Sequence, residues 1–285
     1  MRRLGLNRTD WAVLVYNAAI LALVVFARQR IPDWSIRFLV HLLLAGVIVA
    51  LARLDLRAQG AGASRVAHVL YPLALSAYLY PEVGLLRNTL VLHDLDPLVE
   101  HWDELLLGGG WHLWGARHLP VALLDLAHAV YFSYYVLILA PALIAYRRVP
   151  RLVAGYVEAI TICMGAHYLL AIAFPVSGPG ALRATEMPSG GVFLPIMQGV
   201  YRAFDRGGMA FPSTHVAAAL LAAFWAGRFY PRRRLAFALW AAAIVPTTVL
   251  CLYHYAIDIV AGILTGALAI ALSRPLAERN ADPAP

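Results

Sequence analysis

The stretch Gly207-Gly208-Met209-Ala210-Phe211-Pro212-Ser213-Thr214-His215 leads directly into an apolar run that continues to residue 230. A second stretch, Tyr253-His254-Tyr255-Ala256-Ile257-Asp258, opens another apolar run, with its histidine 39 residues after the first. Both stretches therefore place ionisable side chains at the mouth of a long hydrophobic segment. Such residues are candidates for function, because burying them in hydrocarbon is costly.

The composition around these stretches is that of an integral membrane protein. The chain has 285 residues, of which 61% are hydrophobic and only 14% are charged, whereas a soluble domain carries about 25% charged residues. All 23 basic residues are arginine, and they cluster between apolar runs, so the net charge of +7 indicates membrane topology rather than nucleic-acid binding. Cys163 and Cys251 lie in apolar runs and are interpreted as packing residues.

The apolar runs predict a multi-span helical bundle of about eight transmembrane helices. The first run could be the core of a signal peptide, but no cleavage pattern follows it, which favours a retained helix. We expect N-terminal transmembrane helices in 1–81, an interfacial segment in 82–118, a catalytic bundle in 119–273 and a disordered tail in 274–285. The predicted spans are 11–27, 36–52, 66–81, 119–146, 152–174, 211–230, 235–252 and 254–273.

The distribution of arginine predicts the orientation of these spans. With eight spans, 15 of the 23 arginines fall on the side of the two termini and 8 on the other side. The richer side is expected in the cytoplasm, so both histidine stretches open on the extracytoplasmic face. The excess of Ala, Leu and Arg is typical of a GC-rich genome, which favours a bacterial plasma membrane as the location.

The segment 82–118 is too polar to cross a membrane. Its residues 97–107 predict an amphipathic helix in the interface, with tryptophans at the level of the headgroups. His93, His101 and His112, together with neighbouring acidic residues, raise the alternative of a metal site. No ligand spacing repeats, so interfacial polar residues are the favoured interpretation and no metal is expected.

The second histidine stretch has the spacing of a nucleophile and its orienting group. His254 and Asp258 are four residues apart and share one helix face. A carboxylate one turn away can accept the Nδ1 hydrogen of the imidazole and leave Nε2 free to attack. His215 could then protonate a leaving alkoxide as a general acid.

The first histidine stretch supplies an anion site. Ser213 and the backbone N–H groups that begin the 211–230 helix can bind phosphate, and Gly207 and Gly208 let the backbone approach the anion. Each stretch taken singly has a structural alternative. The first could be an ordinary helix start with a serine cap, and the second could be a local polar pair. Together they indicate phosphoryl transfer through a phosphohistidine, without a cofactor.

The two stretches resemble the second and third motifs of the type 2 phosphatidic acid phosphatase superfamily. The closer resemblance is to its inositol phosphorylceramide synthase branch, the inositolphosphotransferases, through His254-Tyr255-x-x-Asp258. Weaker likenesses are Asp103 to Gly109 followed by Trp114, and Phe174 to Pro179. The resemblance covers roughly residues 90–273 and implies a phosphatase-like helical core.

The resemblance also implies roles for single residues. His254 would be the nucleophile, Asp258 its orienting group, His215 the acid–base, and Ser213 would hold phosphate oxygens. Thr214, beside Ser213, is a further candidate for substrate binding. The phosphatase form has glycine where Thr214 stands, arginine where Thr248 stands, and a first motif that begins with lysine, which this chain lacks.

These departures favour a phosphotransferase and leave the source of positive charge open. Arg183 and then Arg206 are the candidate phosphate-binding cations, with ordinary interfacial arginines as the alternative. Gly208 is expected to line the same site.

Three further polar residues, Asp125, His128 and His167, are expected at the same depth. They are candidates for lining the headgroup pocket or for orienting its side chains, and interhelical hydrogen bonds are the equal alternative.

Three functions remain open on the sequence. The first is transfer of a phosphoryl or inositol-phosphate-like unit between membrane lipids. The second is hydrolysis, as in a lipid or polyprenyl-pyrophosphate phosphatase. The third is a non-catalytic transporter or scaffold, which an intact set of Ser213, His215, His254 and Asp258 argues against. The sequence predicts lipid substrates and no nucleic-acid partner, and leaves the oligomeric state unknown.

Overall fold

The computed structural model describes residues 4–60 and 62–280 of the chain. Within those residues the fold is all-α, with twelve α-helices and a single isolated β-bridge between Val176 and Met209. The helices are α1 Arg8–Phe26, α2 Trp34–Arg57, α3 Gly62–Leu86, α4 Asp96–Leu107, α5 Trp111–His118, α6 Val121–Ala145, α7 Pro150–Ala173, α8 Arg183–Glu186, α9 Phe193–Phe204, α10 Thr214–Phe229, α11 Arg234–Leu250 and α12 Ala256–Arg279.

Seven of the helices in the described part of the chain are long and apolar enough to cross a membrane: α1, α2, α3, α6, α7, α11 and α12. The predicted span 211–230 is α10, which has only 16 residues and a length of about 24 Å. Hydrocarbon is about 30 Å thick, and Arg232 to Arg234 follow the far end of α10. Helix α10, which carries the end of the first histidine stretch, is therefore shorter than a full membrane span and is not among the seven candidates.

Helix α10 is the centre of the bundle and packs on α6, α7, α11 and α12. Its alanines are almost fully buried, and small residues let helices approach closely in a membrane. Gly262 of α12 completes the contact, because a Cβ there would lie 2.8 Å from the carbonyl oxygen of Ser213. The helices α11 and α12 both pack on α10 rather than along each other.

The three N-terminal helices are joined by buried polar side chains. The ring of His68 lies between Asp55, at 2.8 Å from Nδ1, and Asp10, at 2.9 Å from Nε2. His41 Nδ1 lies 2.6 Å from Asn17 Oδ1. These pairs connect α1, α2 and α3, and α1 and α3 pack on α7 of the bundle.

Two helix ends differ from the sequence prediction. Helix α3 continues through Pro72 and Pro81 to Leu86, five residues past the predicted end. Helix α12 continues to Arg279, so the prediction of a disordered tail from residue 274 is wrong for 274–279. Asn280 forms a turn after the helix, and residues 281–285 of that prediction lie outside the described residues. The amphipathic helix predicted over 97–107 is confirmed as α4.

Candidate active site

The fold brings the two histidine stretches together. His215 lies in the first turn of α10, and His254 lies in the short loop between α11 and α12. Their ring centroids are 5.9 Å apart in an edge-to-face arrangement. The loop is fixed from behind by the carbonyl of Thr248, which accepts hydrogen bonds from the backbone N–H groups of Tyr253 at 3.0 Å and His254 at 3.1 Å.

The ring of His254 is buried and is held at both nitrogens. Its Nδ1 lies 2.8 Å from the carbonyl oxygen of Ala210 and 3.3 Å from Asp258 Oδ2. Because a carbonyl oxygen can only accept, Nδ1 carries the hydrogen and Nε2 presents its lone pair. Nε2 lies 3.1 Å from Ser213 Oγ, so the lone pair faces the serine and the start of α10.

Asp258 makes two further hydrogen bonds besides its contact with His254. Its Oδ2 accepts the backbone N–H of Tyr255 at 2.9 Å, which caps the first turn of α12. Its own backbone carbonyl accepts the N–H of Ser213 at 3.1 Å. The same residue therefore links the nucleophile candidate, the start of α12 and the start of α10.

Ser213 is the N-cap of α10. It is fully buried, and its Oγ accepts the backbone N–H of Val216 at 3.3 Å. Thr214 begins the helix and is also buried. A helix N-terminus with free N–H groups and a hydroxyl favours an anion, and this one lies directly in front of His254 Nε2.

A cavity of about 390 Å³ extends from His215 into the bundle. His215 and Asp205 form polar parts of its wall, and most of the remainder is apolar or aromatic. The rings of Tyr131 and Tyr134 lie 5.1 Å and 4.7 Å from that of His215. The lining residues come from α3, α6, α7, α9, α10 and the residue that follows α9.

The two candidate arginines have different surroundings. The guanidinium of Arg183 lies over the rings of Tyr201, at 4.2 Å, and Tyr253, at 4.6 Å. It also pairs with Asp205 at 3.5 Å, so it sits beside the residue that precedes His254 and beside the cavity wall. Arg206 is exposed.

The two glycines that begin the first histidine stretch pack against a third arginine, Arg87, which the sequence did not single out. Gly207 and Gly208 have φ values of +75° and +86°, and a Cβ on Gly207 would clash with Arg87 Nη1. Arg87 Nη1 donates to Ser177 Oγ at 2.8 Å. The contact of Gly208 is thus with an arginine side chain.

Asp125, His128 and His167 make structural contacts. Asp125 Oδ1 accepts the backbone N–H groups that begin α9, at 2.9 Å each. His128 Nδ1 lies 2.7 Å from the carbonyl of Leu124, and its ring packs edge-on against Tyr253. His167 Nε2 lies 3.1 Å from Thr265 Oγ1, which is the interhelical hydrogen bond that the sequence left open.

One partner of the site could not be found from side-chain patterns. The acceptor nearest to His254 Nδ1 is the backbone carbonyl of Ala210, and any residue has such a carbonyl. The available signal was its position five residues before His215, in the stretch between the glycines and the helix.

The site is thus that of an all-helical membrane protein with two facing histidines at a helix N-terminus. A family model of the PAP2 superfamily matches residues 102–272, which include both histidine stretches, and the chain belongs to this superfamily. Membership implies phosphatase or phosphotransferase chemistry on lipid-like phosphoesters. No curated protein and no solved structure matches the chain.

Proposed function

We propose that this protein is a lipid phosphotransferase that carries a phosphoryl or phospho-headgroup unit on His254. The observation that carries the proposal is the orientation of the His254 ring. Nδ1 is committed to the Ala210 carbonyl and Asp258, while Nε2 faces Ser213 and the N-terminus of α10. A phosphate bound at that N-terminus would meet the nucleophile directly.

The first half of the reaction forms the phosphohistidine. The Nε2 lone pair of His254 attacks phosphorus, and the bond from phosphorus to the leaving oxygen breaks. His215, in its protonated form, donates its proton to that oxygen, so the lipid leaves as a neutral alcohol. The hydrogen bonds at Nδ1 stabilise the positive charge that develops on the His254 ring.

The second half returns the enzyme to its starting state. Neutral His215 removes the proton from an acceptor alcohol, and the acceptor oxygen attacks phosphorus. The bond from phosphorus to Nε2 breaks, and its electron pair returns to His254. With water in place of the alcohol, the same steps give hydrolysis.

The negative charge on the transferred group needs compensation. Ser213 Oγ and the first N–H groups of α10 would supply hydrogen bonds, and Arg183, which lies over the ring of Tyr253, is the candidate for a full positive charge. Arg183 would reach the phosphate by giving up its 3.5 Å contact with Asp205, which is a weak, partly exposed ion pair.

The cavity beside His215 supports a lipid as the donor. Apolar walls favour a hydrocarbon chain, and the cavity meets the site on the side of the acid. That is the side from which the leaving alcohol departs, so the cavity would hold the chain of the donor.

The departures from the phosphatase pattern favour an alcohol acceptor. Thr248 stands at the arginine position of that pattern and uses its carbonyl to hold the loop before His254. An inositol-phosphate-like headgroup is the transferred unit that the sequence resemblance implies. Hydrolysis of a lipid or polyprenyl phosphate is the second candidate, because water can follow the same path as an alcohol.

Product analysis separates these candidates. The purified protein is incubated with phosphorus-labelled phosphatidylinositol, a labelled diacylglycerol phosphate or a labelled polyprenyl phosphate, each with and without a lipid alcohol. A new labelled lipid supports transfer. Hydrolysis is supported if the only labelled product is water-soluble: inositol phosphate from phosphatidylinositol, and free phosphate from the two lipid phosphates. His254→Ala is expected to abolish either product, and near-full activity in that variant overturns the mechanism. No product from any donor favours the non-catalytic alternative.

We also propose that the site faces the extracytoplasmic side, as the distribution of arginine predicts. A cysteine at the exposed residue Arg202 in a cysteine-free variant should react with an impermeant thiol reagent added to intact cells. Labelling only after the cytoplasmic face is opened contradicts this orientation.

A further inference from the structure

Helix α4 contacts the start of α12 through one buried carboxylate. Asp103 is 1% exposed, and its Oδ1 accepts the backbone N–H of Ile257 at 2.8 Å. A buried carboxylate is costly unless it is hydrogen-bonded, and a helix N-terminus is a favourable partner for it. Asp103 thereby takes a free N–H of α12, while Asp258 serves Tyr255 and the ring of His254.

The N-terminal end of α4 holds the loop at Ser177 and Gly178. This loop lies beside the first histidine stretch through the bridge between Val176 and Met209. Asp96 accepts the backbone N–H of Ser177 at 2.8 Å and that of Gly178 at 2.7 Å. Burial raises the pKa of the Asp96 carboxyl, and these two donors oppose the rise. Two backbone hydrogen bonds on one half-buried acid fix the position of the loop.

That loop is connected to His254 by two hydrogen bonds in series. The carbonyl of Val176 accepts the N–H of Ala210 at 2.7 Å. The carbonyl of Ala210 then lies 2.8 Å from His254 Nδ1. Asp96 therefore supports the acceptor that orients the imidazole, and Asp103 supports the helix that carries Asp258.

We propose that Asp96 and Asp103 are positioning residues, and that α4 is a clamp that sets the His254 ring against the anion site at Ser213. The inference rests on the proposed function, since it concerns the geometry of that reaction. Misplacing a catalytic group by about 1 Å can cost about 10²-fold in rate. The clamp therefore acts on kcat rather than on binding of the lipid chain.

The test compares Asp103→Ala, Asp103→Asn and Asp96→Ala with wild type in the full-length purified protein. Glu100→Ala is the matched control, because Glu100 is an exposed acid on the same helix. Asp103→Ala and Asp96→Ala are expected to lower kcat by about 10²-fold with KM within about threefold. Asp103→Asn keeps an acceptor oxygen and is expected to recover most of kcat.

Three outcomes overturn the clamp: unchanged kcat in both alanine variants, a loss that appears in KM alone, or an equal loss in Glu100→Ala. If Asp103→Ala does not fold, Asp96→Ala decides, since it leaves the buried contact of Asp103 intact.

A second measurement separates failure of the clamp from failure of the proposed function. It is the binding of orthovanadate, a phosphate analogue, followed as a shift in melting temperature. If wild type binds vanadate but turns over no lipid, the proposed function is wrong. The clamp still predicts weaker vanadate binding in both alanine variants, and wild-type binding in both contradicts it.

Discussion

Replacement of Arg183 by alanine is expected to remove most of the turnover and little of the stability. The guanidinium lies 4.2 Å and 4.6 Å from the centres of two tyrosine rings and 3.5 Å from Asp205. It is the arginine that the structure places beside both Tyr253 and the cavity wall. If it compensates the charge of the transferred group, its loss raises the activation free energy of the reaction. That increase is expected to exceed the loss in free energy of unfolding.

The magnitudes separate the two effects. Loss of one preorganised donor to a developing anion costs about 10²- to 10³-fold in kcat, or about 3–4 kcal/mol. Loss of the ring contacts and of a partly exposed ion pair costs about 1–2 kcal/mol of folding stability. Arg183→Ala should therefore purify as a folded protein with a kcat reduced by at least about 10²-fold.

The assay is turnover of a labelled lipid phosphoester by purified variants. Arg206→Ala is the matched control, because Arg206 is exposed in the same region, and it is expected to stay within about twofold of wild type. Arg183→Lys should be intermediate, since an ammonium keeps the charge but loses the planar fork. Wild-type turnover in Arg183→Ala, or an equal loss in Arg206→Ala, refutes the assignment of the cation.

Three further outcomes are expected. Ser213→Ala should lose about 1 kcal/mol of stability with the helix cap, and its kcat should fall further than this loss explains; unchanged kcat would contradict a phosphate contact. Ala77→Phe, in the cavity wall contributed by α3, should raise KM for long-chain donors more than for short-chain donors, and an equal change for both would refute a chain site there. Gly207→Ala should lower the melting temperature, because a Cβ would strike Arg87 at a positive φ, whereas an unchanged melting temperature would contradict this packing.

The sequence predicted those parts of the fold that depend on the length of an apolar run. Seven helices fall on predicted apolar runs, and α4 falls on the predicted amphipathic segment. The ends of α3 and α12 differ from the predicted ends, because composition does not reveal where a helix stops inside a bundle. Helix α3 continues through Pro72 and Pro81, because neighbouring helices can satisfy the backbone groups that a proline frees.

The sequence also predicted that the two histidine stretches lie together, and the fold places His215 and His254 side by side. That prediction was possible because both histidines lie in short stretches with recognisable spacing. It could not reveal contacts between distant segments. The bond from Asp103 to Ile257 joins residues 154 positions apart, and the carbonyl of Ala210 has no side-chain signature. The choice between Arg183 and Arg206 likewise depended on which side chain is turned inward.

The most direct test of the account is to trap the phosphorylated enzyme. Wild-type protein is mixed with a phosphorus-labelled donor lipid in the absence of an acceptor, quenched within milliseconds to seconds, and digested for mass analysis. The account predicts an acid-labile, base-stable phosphoryl or headgroup-phosphoryl adduct on His254, which disappears when an acceptor alcohol is added. Turnover without any adduct on His254, or an adduct on His215 instead, contradicts it.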